Sequence, residues 1–176
     1  MPFLWIDMEM SGLEVSQCRI LEVAAIVTNN EFQPLQTYEA IVFQEPSVLN
    51  AMDAWCTEHH GKSGLTAAVA TGKQESLVET ELLALIGRHF KPEERPVLCG
   101  NSIGQDRKFI DAYMPALAKR LHYRMLDVTS FKIVFEANYG IEFKKKDAHR
   151  ALGDIEESIA ELTHYLGYVR KSAPLL

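Results

Sequence analysis

The sequence predicts an α/β fold, a mixed sheet flanked by helices. Three observations predict it: strand-like apolar runs at the start, helical periodicities later, and short apolar runs between the helices. Residues 2 to 9, 19 to 28 and 35 to 43 read as strands. Asn29-Asn30-Glu31 is the hairpin turn expected between the second and third, so the sheet opens antiparallel. The stretch 44 to 74 carries Pro, Gly and Asn breaks without a sustained period, which suits short helices and loops wrapped around the sheet.

Leu77, Val78, Leu82, Leu85, Ile86 and Phe90 recur at helical spacing, and Lys91-Pro92 ends that pattern. Val97-Leu98-Cys99 is a short strand after it, and Met125-Leu-Asp-Val128 is another, followed by an apolar helix near 129 to 138 that stops at Gly140. Ala148, Leu152, Ile155, Ile159, Leu162, Leu166 and Val169 form the cleanest apolar stripe in the chain, so a C-terminal helix packs on the sheet. With 176 residues and 47% hydrophobic content, the chain is expected to form one domain over 1–176.

Composition narrows the function. There is no basic leader followed by a signal-like apolar segment, and no apolar run long enough to span a bilayer, so a cytoplasmic protein is expected. Cys18, Cys56 and Cys99 are odd in number and widely spaced, which indicates buried free thiols rather than disulfides or a zinc site. A net charge of -6 argues against a protein that tracks long nucleic acid through a broad basic surface. Lys144-Lys145-Lys146 reads as a solvated turn, with phosphate steering secondary, and the Ser-Ala-Pro-Leu-Leu end as a short frayed tail.

The chemistry lies in an anomaly. Asp7 and Glu9 sit inside the apolar run Phe3-Leu-Trp-Ile-Asp-Met-Glu-Met, and a strand puts residues two apart on one face. Like charges brought together in a core are costly unless a cation neutralises them, so divalent metal binding is the leading reading. Downstream come Asp106, in Gly100-Asn-Ser-Ile-Gly-Gln-Asp-Arg, and His149 with Asp154, in His149-Arg-Ala-Leu-Gly-Asp. Four acids and a histidine are what a two-metal phosphodiesterase needs: carboxylates for two hard cations, and a base near neutral pH for the attacking water. Asp106 follows a strand through a Gly-containing turn, which places it at the start of a helix near that strand's carboxyl end, where ligands gather in open α/β sheets.

His149 and Asp154 are five apart, roughly 140° around a regular helix, so they do not share a face. The arrangement works with Asp154 inside the C-terminal helix and His149 on the turn that leads into it.

The ordered set resembles the three motifs of the DEDD exonuclease superfamily, in the branch with histidine in the third motif. Asp7-Met-Glu-Met-Ser-Gly-Leu13, Trp55-Cys-Thr-Glu-His-His60, Gly100-Asn-Ser-Ile-Gly-Gln-Asp106 and His122-Tyr-Arg-Met-Leu-Asp-Val128 are similar to oligoribonuclease in particular. The resemblance covers almost the whole chain. It implies a ribonuclease H-like exonuclease domain that holds two Mg2+ or Mn2+ ions on Asp7, Glu9, Asp106 and Asp154, with His149 as general base. The implied reaction is 3′-to-5′ degradation of short single-stranded RNA, dinucleotides above all, to nucleoside 5′-monophosphates. Gly153 stands where another acid is common in the family, and the segment 141 to 147 is short.

The resemblance also implies a substrate cage. Leu13 and Trp55 stack on bases; His60, Ser102 and Gln105 bind phosphate; Tyr123 and Arg124 cross a homodimer interface to cap the 5′ phosphate in the partner's site. Taken singly, each has a plainer alternative: Leu13 and Trp55 as core, His60 as a surface histidine, Ser102 and Gln105 as helix caps, Tyr123 and Arg124 as an edge aromatic and a solvated charge. Two rival functions remain. One is a related exonuclease trimming longer 3′ ends; the other is a non-catalytic nucleic-acid-binding module, which needs none of the five catalytic candidates.

Overall fold

A computed structural model describes residues 2–144 and 150–169. The mixed sheet has strands β1 (Phe3–Met10), β2 (Ile20–Thr28), β3 (Pro34–Ile41), β4 (Leu98–Gly100) and β5 (Met125–Asp127) in the order β3-β2-β1-β4-β5. The first three run antiparallel, and the turn at Asn29 joins β2 to β3, its side-chain oxygen accepting from the backbone N–H of Glu31 and Gln33. β4 pairs parallel with β1, and β5 parallel with β4. That switch is what the sequence predicts: a hairpin start, then strands added through helices.

The 44 to 74 stretch forms three short helices, α1 (Pro46–Asn50), α2 (Ala54–Lys62) and α3 (Leu65–Val69). They are followed by α4 (Glu75–His89), α5 (Gly104–Tyr113), α6 (Pro115–Arg120), α7 (Val128–Tyr139) and α8 (Ala151–Leu166). The sequence reading missed α6. Six residues started by a proline give too short a window for a period to show.

Alternation along β1 splits the core into two layers. Leu4, Ile6 and Met8 join a cluster with Val78, Leu82, Leu85, Phe109 and Ile110, on the face covered by α4 and α5. Trp5 points the other way, against Val128, Ala151, Ile155 and Leu162 of α7 and α8. Asp7 and Glu9 share the parity of Trp5, so the strand aims both acids at the layer that holds α8. β2 is buried at all nine positions, as a central strand covered on both faces must be.

Cys56 and Cys99 are buried free thiols, as expected, but Cys18 is only half-buried because it lies in the loop between β1 and β2. Among the described residues, no helix is long and apolar enough to cross a membrane. Ala148, His149, Lys145, Lys146 and the tail from 170 lie outside the described residues.

Candidate active site

Asp7, Glu9 and Asp154 each offer a carboxylate oxygen, all within 4.8 Å of one another. Two come from β1 and one from the first turn of α8, which packs on β1 and β2. The helix is the element that closes the site. Its buried face, Ala151, Ile155, Ser158, Leu162 and Tyr165, sets its rotation, and that rotation turns Asp154 toward the strand. Asp154 is inside the helix, as the spacing argument requires; His149 lies outside the described residues.

Asp106 arrives from the opposite layer. It is buried in the first turn of α5, and its Oδ1 accepts the backbone N–H of Met8 at 3.0 Å. β4 pairs with β1 only at Leu4 and Trp5, so beyond that point the edge of β1 is open. Asp106 satisfies the freed N–H, and the same bond ties it to the strand between Asp7 and Glu9.

The electrostatics show what crowding these acids costs. The Glu9 carboxyl is pushed up to about 7, first by burial, then by the charges of Asp154, Glu22 and Asp106, with Arg150 pulling it back. Asp106 is also pushed up to about 7, mainly by burial. Carboxyls that resist ionisation at neutral pH for want of a counter-charge form a site that a hard divalent cation fits. Asp7, Glu9 and Asp154, with Asp106 beside them, are the residues that would hold it.

Two further residues belong to this environment and escaped the sequence reading. Glu22 lies opposite Glu9 in the β1–β2 register and is buried. Arg150, at the N-cap of α8, grips both its oxygens through Nε (3.1 and 3.0 Å) and Nη2 (2.6 Å). A signal was present: Glu22 interrupts the apolar run Ile20–Thr28 just as Asp7 interrupts β1.

The residues expected to touch substrate divide differently. Leu13 and Trp55 are 76% and 65% exposed, which removes the core alternative for both. They border one cleft of about 470 Å³ together with Glu9, Met10, Cys56 and His60. Gly12 sets the course of the loop into Leu13: its φ is 152°, and a Cβ there would stand 2.6 Å from Cys18 Sγ. His60 is buried rather than a surface histidine. Its Nε2–H donates to the Met10 carbonyl at 2.9 Å, which leaves Nδ1 facing Glu9 Oε2 at 3.9 Å.

Ser102 and Gln105 are not side-chain caps of α5. Ser102 takes a left-handed φ of 48°, held by its N–H to Asp127 Oδ1 (3.0 Å) and Thr129 Oγ1 (2.9 Å). Gln105 Nε2 donates to the Leu13 carbonyl at 2.7 Å, so it steadies the loop that presents Leu13. Tyr123 is 73% exposed, and the Arg124 guanidinium lies 5.2 Å from its ring centre, both just ahead of edge strand β5.

An exonuclease family model of the RNase T type matches residues 4–162. The oligoribonuclease of Francisella tularensis subsp. novicida is 44% identical over 165 residues, covering 92% of each chain. That of Marinobacter nauticus is 43% identical over 167 residues, again 92% of each. Among solved structures, exonuclease I from Methylocaldum szegediense aligns with a TM-score of 0.72 at 16% identity, over 94% of this chain and 40% of that one. E. coli exonuclease I in complex with a dT13 oligonucleotide gives 0.66 at 16%, over 95% and 41%. This chain therefore spans about two fifths of those exonuclease I chains, and the likeness to them shows the fold alone. Identity and coverage against the shorter relatives do more: the chain belongs to the oligoribonuclease family of exonucleases.

Proposed function

We propose that this chain is a metal-dependent 3′-to-5′ exoribonuclease that degrades short single-stranded RNA, 5′-phosphorylated dinucleotides above all, to nucleoside 5′-monophosphates. The observation that carries it is the convergence of Asp7, Glu9 and Asp154 within 4.8 Å beside a cleft walled by Leu13 and Trp55. Two Mg2+ or Mn2+ ions on Asp7, Glu9, Asp106 and Asp154 would supply activation of water and stabilisation of charge on the leaving oxygen. His149 accepts the proton of the water that attacks phosphorus. The bond from phosphorus to the 3′ oxygen of the preceding nucleotide breaks, and that oxygen takes a proton from solvent to leave as the new 3′ hydroxyl. The terminal nucleotide departs as a 5′-monophosphate.

The remaining residues bind and orient. Leu13 and Trp55 flank the bases, while His60, Ser102 and Gln105 engage phosphate; the Gln105 bond to the Leu13 loop supports a shared setting of both groups. Tyr123 and Arg124 act across a homodimer and cap the 5′ phosphate in the partner's site. Support for a second copy comes from the β5 edge, where Tyr123, Met125 and the α7 residues Ile133 and Val134 are exposed apolar side chains. The absence of a long basic stripe in a chain of net charge -6 supports a short substrate.

The test is turnover on a 5′-phosphorylated RNA ladder from two to about seven nucleotides. A site that grips both ends of a short substrate gains orientation from the terminal phosphate, so the dinucleotide should react fastest and rates should fall with length. Equal or rising single-turnover rates with length overturn this in favour of an exonuclease acting on longer 3′ ends. Mixing Arg124→Ala with Asp106→Asn chains should restore activity if the cap is shared between protomers.

A further inference from the structure

We propose that His59 is a positioning residue for the base platform: ring contacts that run from Trp55, stacked on His59, to His60, met edge-on, tie the platform to the metal-bearing strand. This rests on the exonuclease reading of the same cleft and deepens it. His59 and Trp55 are four apart on α2, hence neighbours on one helical face. Their ring centres are 4.5 Å apart and their planes 9° from parallel. His59 meets His60 edge-on at 5.9 Å and 77°. His60 is buried and hydrogen-bonded to the Met10 carbonyl, the last residue of the strand that bears Asp7 and Glu9. The start of α2 is fixed as well, because Asp53 accepts the N–H of Cys56 at 2.7 Å.

The physical reason is conformational entropy. An exposed indole samples several rotamers, and binding a base to it restricts them at an entropic cost. Trp55 borders both the substrate cleft and a neighbouring hollow that it shares with Glu58, His59 and Lys62, whereas His59 lies on the hollow side and reaches on toward Lys62, Ser63 and Arg150. His59 therefore backs the indole from the side away from Leu13, and the side facing Leu13 stays open for a base. The restriction is made before substrate arrives, so the base meets an oriented plane. Nothing in this role touches the scissile bond.

The test compares wild type, His59→Ala and His59→Phe with Mn2+ on 5′-phosphorylated diadenylate and on bis(p-nitrophenyl) phosphate, a phosphodiester that carries no base. Alanine is a good helix former, so α2 should persist. His59→Ala should raise KM for the dinucleotide roughly 2- to 13-fold with kcat little changed, leave the base-free ester unaffected, and shift the quenching of Trp55 fluorescence in EDTA to higher dinucleotide concentration. Trp5 is fully buried and gives a constant background. His59→Phe should restore the wild-type KM. If wild type cleaves the dinucleotide and His59→Ala shows the same KM, the role of His59 is overturned while the exonuclease reading stands. If wild type cleaves neither substrate, the exonuclease reading itself fails. An equal loss on both substrates also overturns the proposal, because a general structural role then explains it.

Discussion

The acidic centre and the exposed apolar rim of this molecule are built on opposite principles. At the centre, Asp7, Glu9, Asp106 and Asp154 are carried by a strand and two helices whose other faces are core, and their mutual repulsion is tolerated because the core holds them. At the rim, Leu13, Trp55 and Tyr123 are exposed apolar side chains on a loop, a short helix and an edge. The centre places charge where burial penalises it, and the rim places apolar surface where water penalises it. Each is unfavourable alone; in the proposed function a cation relieves the first, and a nucleobase on Leu13 and Trp55 or a second copy of the chain over Tyr123 relieves the second.

The largest expected effects break the centre. Asp7→Ala should lower metal-dependent turnover by more than the ~10²- to 10⁴-fold that His149→Ala costs as loss of the base. His149→Ala should keep metal binding, which calorimetric titration with Mn2+ checks. Asp106 separates chemistry from folding. Asp106→Asn keeps an acceptor for the Met8 N–H and should stay folded but inactive, whereas Asp106→Ala leaves a buried donor unpaired at roughly 1–3 kcal/mol, visible as a lower melting temperature. Near-normal turnover in any of these acid variants would sink the assignment.

Breaking the rim should leave the fold and the chemical step intact. Trp55→Ala should raise KM for a dinucleotide roughly 5- to 150-fold, the range of one base–aromatic stack, without a change in melting temperature. A drop in kcat equal to the rise in KM would instead place Trp55 in the centre.

The smallest effect sharpens the contrast through pH. Glu9 has its carboxyl raised to about 7 by burial and neighbouring charge. In the metal-free protein the folded state thus binds more protons than the unfolded chain between the ordinary carboxylate range and about 7. The sign follows: stability falls as pH rises through that window and stays lower above it. Melting temperature without metal should be a few degrees higher at pH 5 than at pH 8, and Mn2+ at pH 8 should restore it, whereas Glu9→Gln should shrink the difference and leave the part that Asp106, raised to about 7 as well, contributes. A metal-free melting temperature that rises from pH 5 to 8 and is unaffected by Glu9→Gln would remove the burial argument for Glu9.

Much of this was legible in the sequence because strand parity is local. Asp7 and Glu9 announce themselves by interrupting an apolar run, and a period of two is enough to pair them. The C-terminal helix is equally local, since its apolar stripe states which face is buried. Glu22 was missed because one acid in a long strand makes no pair within its own element; its meaning lies in the register with Glu9 and in the grip of Arg150. The plainer readings of Leu13, Trp55 and His60 failed for a related reason, because composition cannot tell an exposed apolar side chain from a core one, or a buried histidine from a surface one.

What the sequence by itself determined is the kind of fold, the order of its strands and longer helices, and the sharing of one strand face by Asp7 and Glu9, because hydrophobic period and residue type are properties of short windows. What only the tertiary structure decided is who stands beside whom. Asp106 meets β1 because β4 stops short and leaves the Met8 N–H open, and Asp154 meets Asp7 and Glu9 because the apolar face of α8 turns it there. The His60 ring reaches the Met10 carbonyl because α2 passes over the end of β1. Those contacts join residues up to 147 positions apart, from Asp7 to Asp154, and no local period encodes a distance of that length.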